Sequence, residues 1–129
     1  MKVVMVGSTT FPLNPDIAAE VIDLMRAYPE GTVFQTRGSA GFDQFLAVAA
    51  DILGYAVVTW PASGGADNFH RDAEMVKTAD EVIVFLDPKT IHREDTGTAH
   101  LMEKALDQKK PTRAYSAHGH RLVYVGSNE

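Results

Sequence analysis

Arginines set beside glycine turns are the groups in this chain whose types and spacing best suit chemistry. Arg37-Gly38-Ser39-Ala40-Gly41-Phe42-Asp43 and Asp95-Thr96-Gly97-Thr98 each stand between an expected strand and an expected helix. A helix start exposes unpaired backbone N–H groups and the positive end of the helix dipole. Glycine there admits a phosphate close to the backbone. In the first turn Gly38 and Gly41 permit that approach, Ser39 caps the helix or binds phosphate, and Arg37 supplies a fork of donors. Asp43 either accepts from a sugar hydroxyl or braces the loop. In the second turn Gly97 and Thr98 suit an anion and Asp95 suits ribose hydroxyls, although helix capping by Thr96 or Thr98 explains the same residues. Arg71, with Asp72 to hold it, is a further phosphate donor; its alternative is a surface ion pair with Glu74.

These groups need a scaffold that brings distant loops to one edge. Val3 to Val6 is a continuously apolar, valine-rich run, as in a strand buried on both faces. Asn14-Pro15-Asp16 reads as an N-cap, a first-turn proline and an early acid, ahead of helical apolar spacing at Ile17, Val21, Leu24, Met25 and Tyr28. A second strand is expected over Thr32–Thr36. A helix with an apolar stripe at Phe42, Phe45, Leu46, Ala49, Ile52 and Leu53 follows, then a strand over Tyr55–Trp60. Asn68 is the expected cap of a third helix, Glu81–Leu86 the clearest central strand, and Leu101, Met102, Ala105 and Leu106 mark a fourth helix. Strands around Thr112–Ser116 and Leu122–Val125 close the chain.

Alternating strands and helices predict an α/β fold: a single doubly wound Rossmann-like domain over residues 1–129, its mostly parallel sheet of five or six strands flanked by helices on both faces. Ligands of such sheets bind beyond the carboxyl ends of the strands. The Gly7-Ser8-Thr9 loop then closes one side of the site.

Composition narrows the partners. With 129 residues and a net charge of −5, the chain carries no broad electrostatic footprint for nucleic acid. No cysteine is present, which removes disulfides and thiolate chemistry. The five histidines show no spacing that fixes a coordination shell, so no metal is expected, and no cofactor. The apolar run at the N-terminus is too short for a signal or membrane segment, so the expected location is the cytoplasm, without membrane contact. A homo-oligomer is the one further partner expected.

The order of these pieces resembles the SLOG superfamily of Rossmann-like proteins, which includes the "lonely guy" lysine-decarboxylase-like phosphoribohydrolases, the DprA proteins and the small YspA-like members. The residues that carry the likeness are Gly38-Ser39-Ala40-Gly41-Phe42-Asp43, Arg71-Asp72-Ala73-Glu74-Met75, Ala79-Asp80-Glu81-Val82-Ile83-Val84-Phe85 and Thr96-Gly97-Thr98-Ala99-His100, closest to the YspA-like branch. The resemblance implies a pocket for a nucleotide or nucleotide-derived ligand between the two glycine turns. It also marks a departure. The "lonely guy" pattern Pro-Gly-Gly-x-Gly-Thr-x-x-Glu has a glutamate where this chain has Leu101, and related deoxyribosyltransferases have one where His100 stands. Ligand binding is therefore the leading expectation. N-glycosidic hydrolysis through Asp43, Asp95 or Glu103, and a protein-interaction module that has lost its ligand, are the alternatives.

Overall fold

Val3, Val4, Met5 and Val6 are each no more than 1% exposed, as a strand covered on both faces requires. They belong to β1 (Lys2–Gly7), the centre of a computed structural model that describes residues 1–38, 40–61, 66–87 and 97–128. There follow α1 (Pro15–Arg26), β2 (Val33–Arg37), α2 (Phe42–Ile52), β3 (Ala56–Trp60), α3 (Ala66–Thr78), β4 (Glu81–Phe85), α4 (Gly97–Asp107), β5 (Thr112–His118) and β6 (Arg121–Ser127). The sheet order is β3-β2-β1-β4-β5-β6. Every neighbouring pair is parallel except β5 and β6, which run antiparallel as a hairpin.

Side chains alternate along β1 and divide the core into two parts. Val3 and Met5 join Ile17, Val21 and Met25 of α1 with Phe42 and Leu46 of α2. Val4 and Val6 join Met75 and Val76 of α3 with Leu101 and Ala105 of α4. The consequence for function is positional. The parallel strands all end at the edge where α2 and α4 begin, which gathers Gly7, Arg37, Trp60 and Phe85 on one side of the molecule.

Local signals explain most boundaries. Asn14 is extended, and its side chain accepts from the backbone N–H groups of Asp16 and Ile17 at 3.1 and 3.0 Å, with Pro15 in the first turn. Asn14→Ala is expected to cost about 1 kcal/mol, read as a lower denaturant midpoint with an unchanged slope. Two expectations are corrected. Helix α3 begins at Ala66, so Asn68 lies within it rather than capping it. Ile52, counted in the apolar stripe of α2, is 78% exposed, because the stripe rotates away from the sheet by the last turn.

At the opposite edge, Tyr28 donates to Glu81 at 2.5 Å and accepts from Arg113 at 2.6 Å. Burial and the neighbouring Glu81 carboxylate push its hydroxyl well above the ordinary tyrosine range. A raised folded-state value means that the stability this group contributes is complete below about pH 10, the unfolded value, and is lost as pH rises beyond it. Thermal unfolding should therefore fall steeply above that pH, and Tyr28→Phe should flatten the alkaline limb. An equally steep limb in the variant would contradict this assignment.

Candidate functional site

Arg37 sits at the last position of β2 and is only 6% exposed. Its Nε donates to Asp43 Oδ2 at 2.9 Å. Its Nη2 donates to the carbonyl of Gly7 and to the hydroxyl of Thr98, each at 2.8 Å. Asp43, 1% exposed in the first turn of α2, takes the Gly7 N–H on its other oxygen at 2.7 Å. One buried ion pair thus ties together the ends of β1 and β2 and the starts of α2 and α4. Of the two roles open to Asp43, bracing is the one this geometry performs, since both oxygens face protein donors. Burial pushes its carboxyl above the usual range, against the pull of the Arg37 guanidinium and the Gly7 amide.

The glycines here serve packing. A Cβ on Gly41 would meet the Thr9 carbonyl oxygen at 2.8 Å, and its φ of +85° suits glycine. A Cβ on Gly7 would meet the Phe42 ring at 2.4 Å. The helix start therefore lies directly on the loop after β1. That loop is pinned in turn to the end of β4: Ser8 N–H donates to the Phe85 carbonyl at 3.0 Å and Thr10 donates to Asp87 at 2.5 Å. Gly38 borders a hollow of about 330 Å³ lined by Arg37, Ala40, Gln44, Ala47 and Thr59, the low end of ligand-sized cavities.

Arg71 lies in α3 with its side chain 10% exposed. Its partner is Asp72, whose Oδ1 accepts from Nε at 3.1 Å and from Nη2 at 3.0 Å. The expected alternative, an ion pair to Glu74, is not formed. Arg71 Nη1 is buried and has no hydrogen-bond partner among the described residues, and the Arg71 charge acts on Asp43. The other Asp72 oxygen lies 3.6 Å from Nδ1 of His100 in the first turn of α4.

Gly7, Arg37, Gly41, Asp43, Gly97 and Thr98 are therefore brought together directly. Gly97 packs so closely on Arg37 that a Cβ would lie 3.1 Å from Nη1. Ser8 and Thr9 flank this group, and Arg71 approaches from α3. Ser39, Asp95 and Thr96 lie outside the described residues, as does the polar loop over 88–96. Sequence reasoning gave Asp72 its place beside Arg71 but set His100 aside. The available signal was spacing: Asp72 adjoins Arg71, and His100 stands one helical turn into α4, beside the Thr98 that Arg37 holds.

Trp60 faces inward, donating to Gln35 at 2.9 Å, rather than offering a stacking surface at the sheet edge. Among the described residues no group of three or more His, Cys, Asp or Glu side chains is placed to hold a metal. No helix among them is long and apolar enough to cross a membrane.

The chain matches no known family model and no curated protein.

Proposed function

We propose that the carboxyl edge of this sheet binds a nucleotide or nucleotide-derived ligand, in a doubly wound, Rossmann-like domain of the SLOG kind. One observation carries the reading. Arg71 is held by Asp72 in a nine-tenths buried position, yet among the described residues its Nη1 has no hydrogen-bond partner. Leaving such a donor buried and unsatisfied costs about 1–3 kcal/mol or more for a charged group, and a phosphate oxygen would remove that cost. The start of α4, at Gly97 and Thr98, adds N–H donors and a helix dipole of the right sign for an anion.

The arginines divide their labour in this reading. Arg37 builds the floor of the site and Arg71 meets the ligand. Buried carboxylates match both arginine charges, so the attraction for an anion comes from oriented N–H groups and helix ends rather than from excess positive charge. Hydrolysis has less support. Asp43 is engaged on both oxygens, Glu103 is exposed, and Leu101 is fully buried core.

Calorimetry against AMP, ADP-ribose, NAD and cyclic nucleotides tests the proposal. At least one should bind, and Arg71→Ala should weaken that binding by tenfold or more, the order expected from losing one charge-assisted contact. Absence of binding to the whole panel would overturn it. A cytoplasmic location and a homo-oligomeric state belong to the same proposal, the latter supported by the exposed apolar residues Val123, Tyr124 and Val125 on edge strand β6. A monomer by sedimentation would remove that part.

A further inference from the structure

The hollow of about 330 Å³ beside Gly38 is lined by polar side chains that find no partner in the protein. Gln44 contributes from α2 and Thr59 from β3. Among the described residues neither side chain makes a hydrogen bond. Thr36 is the register neighbour of Thr59, so both project to the face of the sheet that α2 covers. It is 2% exposed, and among the described residues its hydroxyl also has no hydrogen-bond partner. A buried hydroxyl in that state is uncommon and suits a group that the protein itself does not supply.

The rest of the lining sets shape and charge. Ala47 follows Gln44 by one turn on the same face of α2, and with Gly38 and Ala40 it leaves the space open. The charged side chain of the lining is Arg37, which Asp43 already neutralises. The hollow therefore suits a neutral group better than a phosphate. A primary amide offers an N–H donor and a carbonyl acceptor side by side, the pair that matches the edge of a nucleobase. Arg37 also packs on Gly97 and donates to Thr98 at the start of α4. The hollow and the helix start proposed for the phosphate thus lie against one and the same side chain.

We propose that this hollow receives the nucleobase, with the Gln44 amide pairing with its edge and Thr59 flanking it. The inference rests on the nucleotide reading and deepens it. It separates a neutral base subsite, on the α2 side of Arg37, from the anion subsite at α4, and it makes Gln44 a specificity-determining residue.

The test titrates AMP, GMP, CMP, UMP and ribose 5-phosphate by calorimetry into the full chain and into Gln44→Ala and Ala47→Leu. The wild type should bind at least one of the four nucleotides more tightly than ribose 5-phosphate, which lacks the base. Gln44→Ala removes the paired edge and Ala47→Leu fills the space. Each should lower that preference by about tenfold or more while leaving ribose 5-phosphate binding unchanged. Equal binding of all five by the wild type, or a preference unchanged in either folded variant, overturns this inference and leaves the nucleotide reading standing. A wild type that binds none of them also overturns it, and ADP-ribose and NAD then decide the nucleotide reading. Thermal unfolding shows whether each variant is folded. If Ala47→Leu is not, Gln44→Ala, at an exposed position of α2, decides the matter alone.

Discussion

Arg37→Ala is expected to destabilise the fold by about 3–5 kcal/mol, the range for removing one partner of a buried ion pair. The loss should appear as a large drop in the denaturant midpoint. Three links disappear together: the pair with Asp43 and the bonds to the Gly7 carbonyl and the Thr98 hydroxyl. The remaining Asp43 carboxylate is 1% exposed and loses the strongest influence that opposes its desolvation. Its pKa in the folded variant therefore rises further above the unfolded value. With a raised folded value, the variant is relatively stronger at low pH and loses stability as pH climbs past about 4, the unfolded carboxylate range. The deficit should thus shrink between pH 7 and pH 4. A pH-independent deficit would show that Asp43 finds another partner. Replacing both residues, Arg37→Leu with Asp43→Leu, should recover part of the loss, because no buried charge is then left alone. The result also bears on binding studies: loss of ligand affinity in Arg37→Ala would report on the fold, whereas Arg71→Ala reports on the ligand.

Gly41→Ala should cost about 3 kcal/mol, combining strain in a backbone region open essentially to glycine with a forced contact. Its φ of +85° and ψ of −128° supply the strain, and the Thr9 carbonyl oxygen 2.8 Å from the new Cβ supplies the contact. Gly54 is the internal control. Its φ is +89°, but nothing lies within 4 Å of a Cβ there. Gly54→Ala should therefore lose only about 1–2 kcal/mol from backbone strain. Equal losses at the two positions, measured by urea unfolding, would show that the loop after β1 yields freely and that the helix start is not seated on it.

Short-range physics is legible in this sequence, and long-range physics is much less so. Asn14-Pro15-Asp16 declares a helix start because every partner lies within three residues. Val3 to Val6 and Val82 to Phe85 declare buried strands because burial on both faces needs a continuous apolar run. Arg37 shows its donors in the sequence but not their targets, since Thr98 is 61 positions away and meets it only once α4 packs. Read locally, an arginine beside glycines looks like a ligand contact; in the fold, it is largely internal scaffolding. The glycines are ambiguous in the same way, because a missing side chain looks the same whether a phosphate or, as at Gly7, the Phe42 ring occupies the space. Arg71 was ambiguous for a different reason. Asp72 and Glu74 are both in reach, and only the packing of α3 against α4 selects Asp72.

The sheet order has a consequence for synthesis on the ribosome. β1 is made first and lies at the middle of the sheet, hydrogen-bonded on one side to β2 and on the other to β4. As the chain emerges, β2 and β3 can pair along one flank of β1, while its other flank stays open until residue 85 is available. The nascent chain therefore passes through a stage in which this apolar strand, buried on both faces in the fold, is an unprotected edge, an arrangement prone to pairing with another chain. Closure by β4 ends that exposure, and Thr98 then locks the Arg37 network from the far side.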